Sequence, residues 1–316
     1  MTKLNWLYAF AFVLVGSLAF TACNNDDEEV MEEPDPEPQS IVDIVAGDDN
    51  FSDLAAALTR VNLIGVLEGA GPFTVFAPDN DAFAASGIDV DAASDEELTN
   101  ILLYHVLGAN IKSTDLTDNA QTYASTDSEA GPEKALVSLL VERAGNSVTL
   151  NGTINVKDAD IEAENGVIHV IDNVLQPVDI VGAAIANSQF TTLVGALQDA
   201  DGDLVAELQK EGPVTVFAPL NSAFADIEDT VAGLDASQLA SVLTYHVTNG
   251  NVVSSGLSNG QVVETLQGEE FTINIDGETV TITDANDNTS TVVLTDVQTT
   301  NGVIHVLNAV IIPVNL

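Results

Sequence analysis

Basic residues and cysteine are the groups that this chain has least of. Its 316 residues include 7 lysines and arginines against 49 aspartates and glutamates, a formal net charge of −42. A surface this negative repels phosphate backbones and anionic lipid headgroups, so nucleic acid is excluded as an expected partner. The single cysteine excludes an internal disulfide. Apolar residues, 46% of the chain, must therefore supply the stabilising cores.

Histidine is also scarce, and each histidine lies in a motif that occurs twice. The four are His105, His169, His246 and His305. An enzyme would need a nucleophile, a base and an orienting carboxylate in one place, and no such set is evident, so we expect no catalytic residue and no cofactor. Apolar neighbours favour buried structural roles for the histidines, with Asp160 and Asp296 as possible hydrogen-bond partners. A metal or proton site formed by His105 and His169 is the alternative.

The N-terminus has the pattern of an export signal. Lys3 precedes an apolar run over 7–20, which is short for a bilayer span, so residues 1–22 predict a signal peptide. Cys23 follows Phe20-Thr21-Ala22, which resembles the lipobox of bacterial lipoproteins, although phenylalanine stands where leucine is usual. The resemblance implies acylation of Cys23 and attachment to a membrane through the lipid. The alternative is an ordinary cleaved signal with an unused thiol.

The segment 23–40 contains eight acidic residues, three prolines and no basic residue. It has almost nothing to bury and repels itself, so it predicts a disordered, extended acidic tether. An acidic run directly after a lipidated cysteine also resembles the signal that sends some lipoproteins to the outer face of the Gram-negative outer membrane. A solvated spacer without a sorting role is the alternative. We therefore expect an exported, lipid-anchored protein, exposed at the cell surface.

Three motifs occur twice in the same order. GPFTVFAPDNDAF at 71–83 returns as GPVTVFAPLNSAF at 212–224, and Tyr-His-Val follows in each half. NGVIHV closes both halves, starting at 165 and at 301. The repeat predicts two domains, 41–176 and 177–316, of about the commonest domain size. Only Pro177-Val178 is expected to separate the last strand of one from the first helix of the next, which favours a fixed relative orientation.

Local patterns predict helices first and strands later in each domain. Thr74-Val75-Phe76 predicts a buried strand that ends at Pro78. The predicted helix caps are Asp79 or Asn80, Asn221, and the capping boxes 94–97 and 235–238. Apolar residues then recur at helical spacing up to His105 and His246. Asn-Gly at 165–166 and 301–302 predicts hairpin turns, and 271–282 predicts another hairpin. The fold class is therefore α+β.

TVFAP, a helix ending in Tyr-His and NGVIHV, in that order, resemble the fasciclin family in two tandem copies covering 41–316. The resemblance implies helices packed around a β wedge, adhesion at a cell surface, and binding rather than catalysis. It also implies adhesion-motif positions, which are Tyr104, His105, Tyr245, His246, Asp43, Ile44, Asp179 and Ile180. Because helical phase places the histidines in the core, we expect direct contact from the tyrosines or from neighbouring loops.

Two other patterns suggest chemistry. Gly256-Leu257-Ser258-Asn259-Gly260 matches the G-x-S-x-G of hydrolases, but an extended segment follows where that motif needs a helix, so we interpret it as a loop. The acidic clusters 199–203 and 284–288 carry oxygen ligands at spacings that a Ca²⁺ loop could use. Polar turns are the alternative for both clusters.

The leading hypothesis is a surface-anchored protein that attaches non-covalently to cells, matrix or polysaccharide, with an extracellular protein or glycan as its ligand. The alternative is an extracytoplasmic capture protein for a small apolar or sugar ligand, which would need a deep pocket.

Overall fold

The computed structural model describes residues 38–90, 92–210 and 212–315, and residues 38–316 form one compact unit. Their elements fall into two consecutive sets. Domain 1 contains helices α1 Ile41–Gly47, α2 Ser52–Arg60, α3 Ile64–Leu67, α4 Asn80–Ser86 and α5 Asp95–Tyr104. Its strands are β1 Phe73–Pro78, β2 Val106–Leu107, β3 Gln121–Ser125, β4 Ser138–Ala144, β5 Ser147–Leu150, β6 Ile154–Ala163 and β7 Gly166–Ile171.

Domain 2 repeats this order with one additional short helix. Its helices are α6 Ile180–Ala186, α7 Thr191–Asp199, α8 Leu204–Leu208, α9 Asn221–Ala225, α10 Glu228–Ala232 and α11 Ala236–Tyr245. Its strands are β8 Val214–Pro219, β9 Val247–Asn249, β10 Gln261–Glu264, β11 Glu270–Asp276, β12 Thr279–Thr283, β13 Thr289–Thr299 and β14 Gly302–Leu307. Short 3₁₀ helices include Asp49–Phe51, Ser113–Asp115, Ser188–Phe190 and Ser254–Gly256.

Each domain has one seven-stranded sheet. The strand orders are β2-β1-β7-β6-β5-β4-β3 and β10-β11-β12-β13-β14-β8-β9. The first repeated motif forms β1 and β8, which pair in parallel with the last strands, β7 and β14. In this register Phe76 lies opposite His169, and Phe217 lies opposite His305. Motifs distant in sequence therefore become neighbours in one sheet, and the predicted α+β class is confirmed.

Two apolar clusters stabilise each domain. In domain 1 the helices pack on one side of β1 and β7 through residues that include Ile41, Leu98 and Ile168. The other cluster fills the sheet wedge around Phe76 and Tyr104. Domain 2 has the same two clusters, built from the corresponding elements. The repeated motifs thus supply mainly buried residues, as expected of a duplicated scaffold.

Several local predictions are confirmed. Both capping boxes form, with Ser94 and Glu97 on α5 and Asp235 and Gln238 on α11. Asp79 caps α4 by accepting a hydrogen bond from the backbone N–H of Ala82 at 2.8 Å. The hairpin predicted over 271–282 forms between β11 and β12.

Three expectations about boundaries were wrong. Asn221 is inside α9, whose N-cap is Leu220; the Asn221 side chain instead accepts from the backbone N–H of Thr192 and donates to the Ser188 carbonyl. The hairpin turn after β6 consists of Glu164 and Asn165, because Gly166 already pairs in the sheet. Residues 172–179 connect the domains, since β7 ends at Ile171 and α6 begins at Ile180. The connection between the domains is therefore longer than the two residues expected.

Candidate functional site

Tyr104 and His105, at the end of α5, lie inside domain 1 with exposed fractions of 0% and 2%. The helix ends at Tyr104, so His105 occupies the C-cap. Its Nδ1 donates to the Ile101 carbonyl at 2.7 Å, one of the carbonyls left unpaired at a helix end. Its Nε2 accepts from the backbone N–H of Leu175 at 2.9 Å. The neutral ring therefore links the helix end to the segment after β7 and has no free nitrogen.

His169 lies on β7 and stacks on Phe76 with ring centroids 5.6 Å apart. Its Nδ1 accepts from the backbone N–H of Asp160 at 3.1 Å, and its Nε2 donates to the Ile111 carbonyl at 2.9 Å. Asp160 is therefore the predicted partner, but through its backbone. Its carboxylate accepts from the backbone N–H and the hydroxyl of Ser113 instead. His169, like His105, ties separate backbone segments together.

Domain 2 repeats both arrangements. The contacts are His246 with the Val242 carbonyl at 2.8 Å and the Ile311 N–H at 3.1 Å, and His305 with the Val252 carbonyl at 2.8 Å and the Asp296 N–H at 3.3 Å. His305 also stacks on Phe217, with centroids 5.3 Å apart. The two domains thus use their histidines identically.

Burial favours the neutral form of His105, His246 and His305. It lowers the pKa of His105 and of His246 to about 4, and it also lowers the pKa of His305. A general base or a metal ligand needs a ring nitrogen that can reach a substrate or an ion, whereas these nitrogens are committed to backbone groups. Within 38–90, 92–210 and 212–315, no group of three or more His, Cys, Asp or Glu side chains is placed to hold a metal ion. The four histidine rings therefore connect separate backbone segments through hydrogen bonds.

The two motif tyrosines are equally enclosed. Tyr104 donates to the Ser138 carbonyl at 2.9 Å and accepts from Asn151 Nδ2 at 3.0 Å. Tyr245 likewise donates to the Glu270 carbonyl at 2.8 Å, and burial raises the pKa of each tyrosine to about 12. Neither has exposed surface, which corrects the expectation that they contact a partner directly. An indirect role in an adhesion motif stays a prediction.

The Asp-Ile pairs begin the first helix of each domain. Asp43 is exposed and forms a capping box with Ser40, while Ile44 is half-buried. Asp179 caps α6 by accepting from the Gly182 N–H at 2.6 Å, and Ile180 is buried. Asp43 is thus exposed, Ile44 and Asp179 are half-buried, and participation of these pairs in adhesion also stays a prediction.

The hydrolase-like motif at 256–260 lies in a loop, as predicted. It follows the 3₁₀ helix Ser254–Gly256 and precedes strand β10, whereas a nucleophile elbow needs a strand before it and a helix after it. Ser258 donates its backbone N–H to Gln261 Oε1 at 2.9 Å, which closes the loop.

The two acidic clusters act as turn and cap residues. Asp284 is 5% exposed, and its carboxylate accepts from the backbone N–H groups of Asn286, Asn288 and Ile312 at 2.9–3.0 Å. Asp203 caps α8 through the Ala206 N–H at 3.3 Å. These bonds are those of the polar-turn alternative.

Sequence reasoning missed the role of Asn165 and Asn301, which it treated as turn residues. Asn165 Oδ1 accepts from the Ile41 N–H at 3.0 Å, and its Nδ2 donates to the carbonyls of Leu67 and Gly69 at 2.7 and 2.8 Å. Asn301 makes the equivalent bonds in domain 2. The signal was available, since the motif places one asparagine next to a glycine in both halves. Its amide anchors the first helix to the sheet.

A domain junction, which no motif indicated, joins the sheet of domain 1 to the first turn and to strand β13 of domain 2. Tyr123 packs against the core of domain 2, and its hydroxyl accepts from Asn187 Nδ2 at 2.9 Å. Further cross-domain bonds join Gln121 to Ser188 at 3.0 Å and the Ser138 hydroxyl to the backbone N–H of Gln298 at 3.1 Å.

Gly152 is required at this junction. Its φ is +70°, and a Cβ there would lie 2.4 Å from the carbonyl oxygen of Ala186 in domain 2. Only glycine permits so close an approach of the two backbones.

The predicted signal peptide, the lipidation site Cys23 and most of the tether fall within 1–37, outside the described residues. In the part of the chain that is described, no single helix is long and apolar enough to cross a membrane. One pair of helices, 180–186 and 188–199, would together be long and apolar enough for a membrane span, but the two are bent by 101° relative to each other.

Comparisons with known proteins agree on one family. A model of the Fasciclin domain matches residues 49–177 and 188–313. Human periostin is 29% identical over 259 residues, covering 78% of this chain and 29% of periostin. Protein sll1483 of Synechocystis is 40% identical over 139 residues, covering 42% of this chain and 73% of that protein. The chain therefore spans less than a third of periostin's length.

A solved structure is also similar to this chain. It is described as a FAS1 domain pair from the insect cell adhesion molecule fasciclin I. The identity is 19%, the TM-score is 0.48, and the alignment covers 80% of this chain and 91% of the solved one.

Proposed function

The chain belongs to the fasciclin domain family, and on that premise we propose that it is a surface-anchored adhesion protein. Its two domains attach non-covalently to a neighbouring cell, to matrix or to polysaccharide. The tandem family match, which includes most of the described residues, carries this proposal. The family resemblance implies binding at a cell surface, and the enclosed histidines and tyrosines leave binding to the surface loops.

Attachment to the cell is proposed through acylation of Cys23. The acidic segment that follows it then serves as a tether that holds the folded domains away from the membrane. We place the protein at the outer face of an outer membrane, on the sequence pattern that follows the cysteine. Many anchored copies give weak individual contacts a high combined avidity.

The geometry supports a non-enzymatic mechanism. Each of the four imidazoles has both ring nitrogens bonded to backbone groups, so none is positioned as a base toward solvent. The serine of the hydrolase-like motif lies in a loop without the strand and helix that would activate it. Binding by the folded surface is the function consistent with both observations.

The alternative is an extracytoplasmic capture protein for a small apolar or sugar ligand, and capture of an apolar ligand has less support. Two enclosed apolar cavities in domain 1 have volumes of about 30 and 40 Å³. Such volumes suit about one water molecule, whereas ligand pockets span about 300–1,000 Å³.

The experiment is an adhesion assay on cells that display the full chain. Cells carrying a chain without residues 41–316 should lose attachment to matrix or to neighbouring cells. Cells carrying Cys23→Ser should release the folded protein into the medium and lose attachment as well. Protease applied to intact cells should remove the domains of the full chain. Attachment that persists without residues 41–316 would contradict the adhesion proposal.

A further inference from the structure

An open cavity lies where the two domains meet, and we call it the junction cleft. Its volume is about 500 Å³, within the range of small-molecule sites, and domain interfaces are a preferred place for such sites. Domain 1 contributes Pro132 and Glu133, and the wall from domain 2 consists of Asp179, Gln209, Lys210, Gly212, Pro213, Thr300 and Asn301.

The domain 2 wall of the junction cleft is rigid. Asn301 is 9% exposed, and its side chain bonds the backbone of Ile180, Leu208 and Lys210. A Cβ on Gly212 would lie 2.1 Å from the Asn301 carbonyl oxygen, so the two segments are in direct backbone contact. Asp179 Oδ2 accepts from Gln209 Nε2 at 3.3 Å. The polar groups on this wall are therefore already in place before any ligand binds, which lowers the entropic cost of binding.

The domain 1 wall holds an energetically unfavourable backbone. Glu133 and Lys134 both have left-handed φ values, +56° and +64°, in a turn closed by backbone bonds between Gly131 and Ala135. Such conformations in residues other than glycine cost about 1–3 kcal/mol each and concentrate at functional sites. The turn presents an exposed Glu133, and among the described residues its carboxylate has no hydrogen-bond or ion-pair partner. The left-handed turn therefore presents, at the edge of the junction cleft, a carboxylate that has no partner among the described residues.

The chemistry of the lining selects the class of ligand. Two carboxylates, the Gln209 amide and the Thr300 hydroxyl supply donors and acceptors, while Pro132 and Pro213 supply apolar surface. The one cation, Lys210, already pairs with Glu207 at 2.5 Å. An anionic ligand would meet Glu133 and Asp179 on a chain of net charge −42. An uncharged ligand with many hydroxyl groups satisfies these acceptors and donors without repulsion.

We propose that the junction cleft binds a short uncharged segment of a polysaccharide, with Glu133 accepting hydrogen bonds from its hydroxyl groups. The inference rests on the proposed adhesion function, because it names polysaccharide as the material that the domains attach to. It assigns recognition to a surface that both domains build together.

The test is calorimetric titration of the full chain, purified in detergent, with neutral hexasaccharides of glucose, mannose and N-acetylglucosamine. The variant Glu133→Gly removes the carboxylate and relieves the left-handed strain. We expect at least one hexasaccharide to bind the original chain, and Glu133→Gly to bind it at least about tenfold more weakly, as loss of a charged hydrogen-bond acceptor implies. Its melting temperature should be unchanged or higher, since glycine favours this backbone.

Asp287→Gly is the matched control. Asp287 also has a left-handed φ, +63°, but it lies outside the lining of the junction cleft, so its replacement should leave saccharide binding unchanged. Thr300→Ala, within the cleft, should also weaken binding. The inference is overturned if no neutral hexasaccharide binds, if Glu133→Gly binds as tightly as the original chain, or if only the anionic probe polygalacturonate binds.

The adhesion assay separates this inference from the function on which it rests. If cells displaying Glu133→Gly attach normally while cells without residues 41–316 do not, the adhesion proposal stands and the cleft inference fails. If both attach normally, the adhesion proposal fails as well.

Discussion

The two domains share their interior bonds and differ at their surfaces. His105 and His246 make the same pair of backbone bonds, and Asn165 and Asn301 make the same set of three. At the surface, domain 1 has an ion pair between Lys157 and Asp79. Aligned on the closing motif, Val293 of domain 2 takes the place of Lys157, and it is 52% exposed. The duplication has therefore preserved the groups that hold the backbone and changed those that face outward.

The turn after the first helix shows what such a change can do. In domain 2, Asn187 caps this turn and donates its amide hydrogen to Tyr123 of domain 1. In domain 1, Asp48 occupies the same cap position, next to Asp49. An ionised aspartate has no hydrogen to donate and would add charge to such a contact. Similar scaffolds thus present different docking surfaces, and binding specificity must be sought in the residues that differ.

The largest expected effect tests the shared interior. Asn165→Ala and Asn301→Ala should each lower the free energy of unfolding by about 4 kcal/mol, because each leaves three backbone groups without a partner. Urea denaturation followed by circular dichroism measures the loss. Asn100→Ala, on helix α5, is the control and should be nearly neutral. A small loss in only one domain would show that the two asparagines are not equivalent.

The histidines should make both domains sensitive to acid. The pKa of His105 is about 4 in the folded protein, against about 6.5 for an unperturbed histidine. Below pH 6.5 the unfolded chain therefore binds the proton first, so stability is lost as pH falls from 6.5 to 4. The loss at pH 4 is about 3 kcal/mol for each such histidine.

The variant His105→Gln should be less stable than the original chain at pH 7, but it should lose about 3 kcal/mol less between pH 7 and pH 4. His246→Gln should behave in the same way, because burial lowers the pKa of His246 to the same value. Urea titrations at the two pH values give the comparison. An equal acid loss in original and variant would show that the ring is protonated in the folded state.

The junction is next in expected size. Gly152→Ala should destabilise the protein by about 2 kcal/mol more than Gly145→Ala, since both replace a glycine of positive φ but only Gly152 faces a backbone carbonyl. Calorimetry should show one unfolding transition for Gly145→Ala and a separation into two for Gly152→Ala. Identical melting curves for the two variants would refute the role of this contact.

Surface charge should matter little. Lys157→Ala should lower stability by about 0–1 kcal/mol, and less at high salt, because exposed ion pairs contribute little. Val293→Lys in domain 2 should be equally mild. Thermal melts at two salt concentrations measure both. A loss well above 1 kcal/mol would mean that the pair has a structural role that its exposure does not suggest.

Calcium should have the smallest effect. Both acidic clusters lie in domain 2, and the carboxylate of Asp284 is already bonded to three backbone N–H groups. We expect the same melting temperature with calcium chloride and with a chelator. A rise with calcium, abolished by Asp203→Ala, would revive the Ca²⁺-loop interpretation.

Much of the fold could be predicted because its signals are local. Capping boxes depend on two residues three apart, and Pro78 ends strand β1 at the predicted place. The bonding of Asn165 could not be predicted, because its partners lie about 100 residues away or more. The burial of Tyr104 was also not predicted, because helical phase says little about a residue in the last turn of a helix. The junction cleft was not predicted from the sequence.

The sequence by itself determined the duplication, the α+β class, the two capping boxes and the apolar setting of the four histidines, because these follow from spacing and composition along the chain. Only the tertiary structure decided which backbone groups the histidines and asparagines hold, how Gly152 and Tyr123 join the domains, and that a cleft forms between them. Those features depend on contacts between segments far apart in sequence. The order of residues along the chain does not show which of two similar surfaces packs against the other domain.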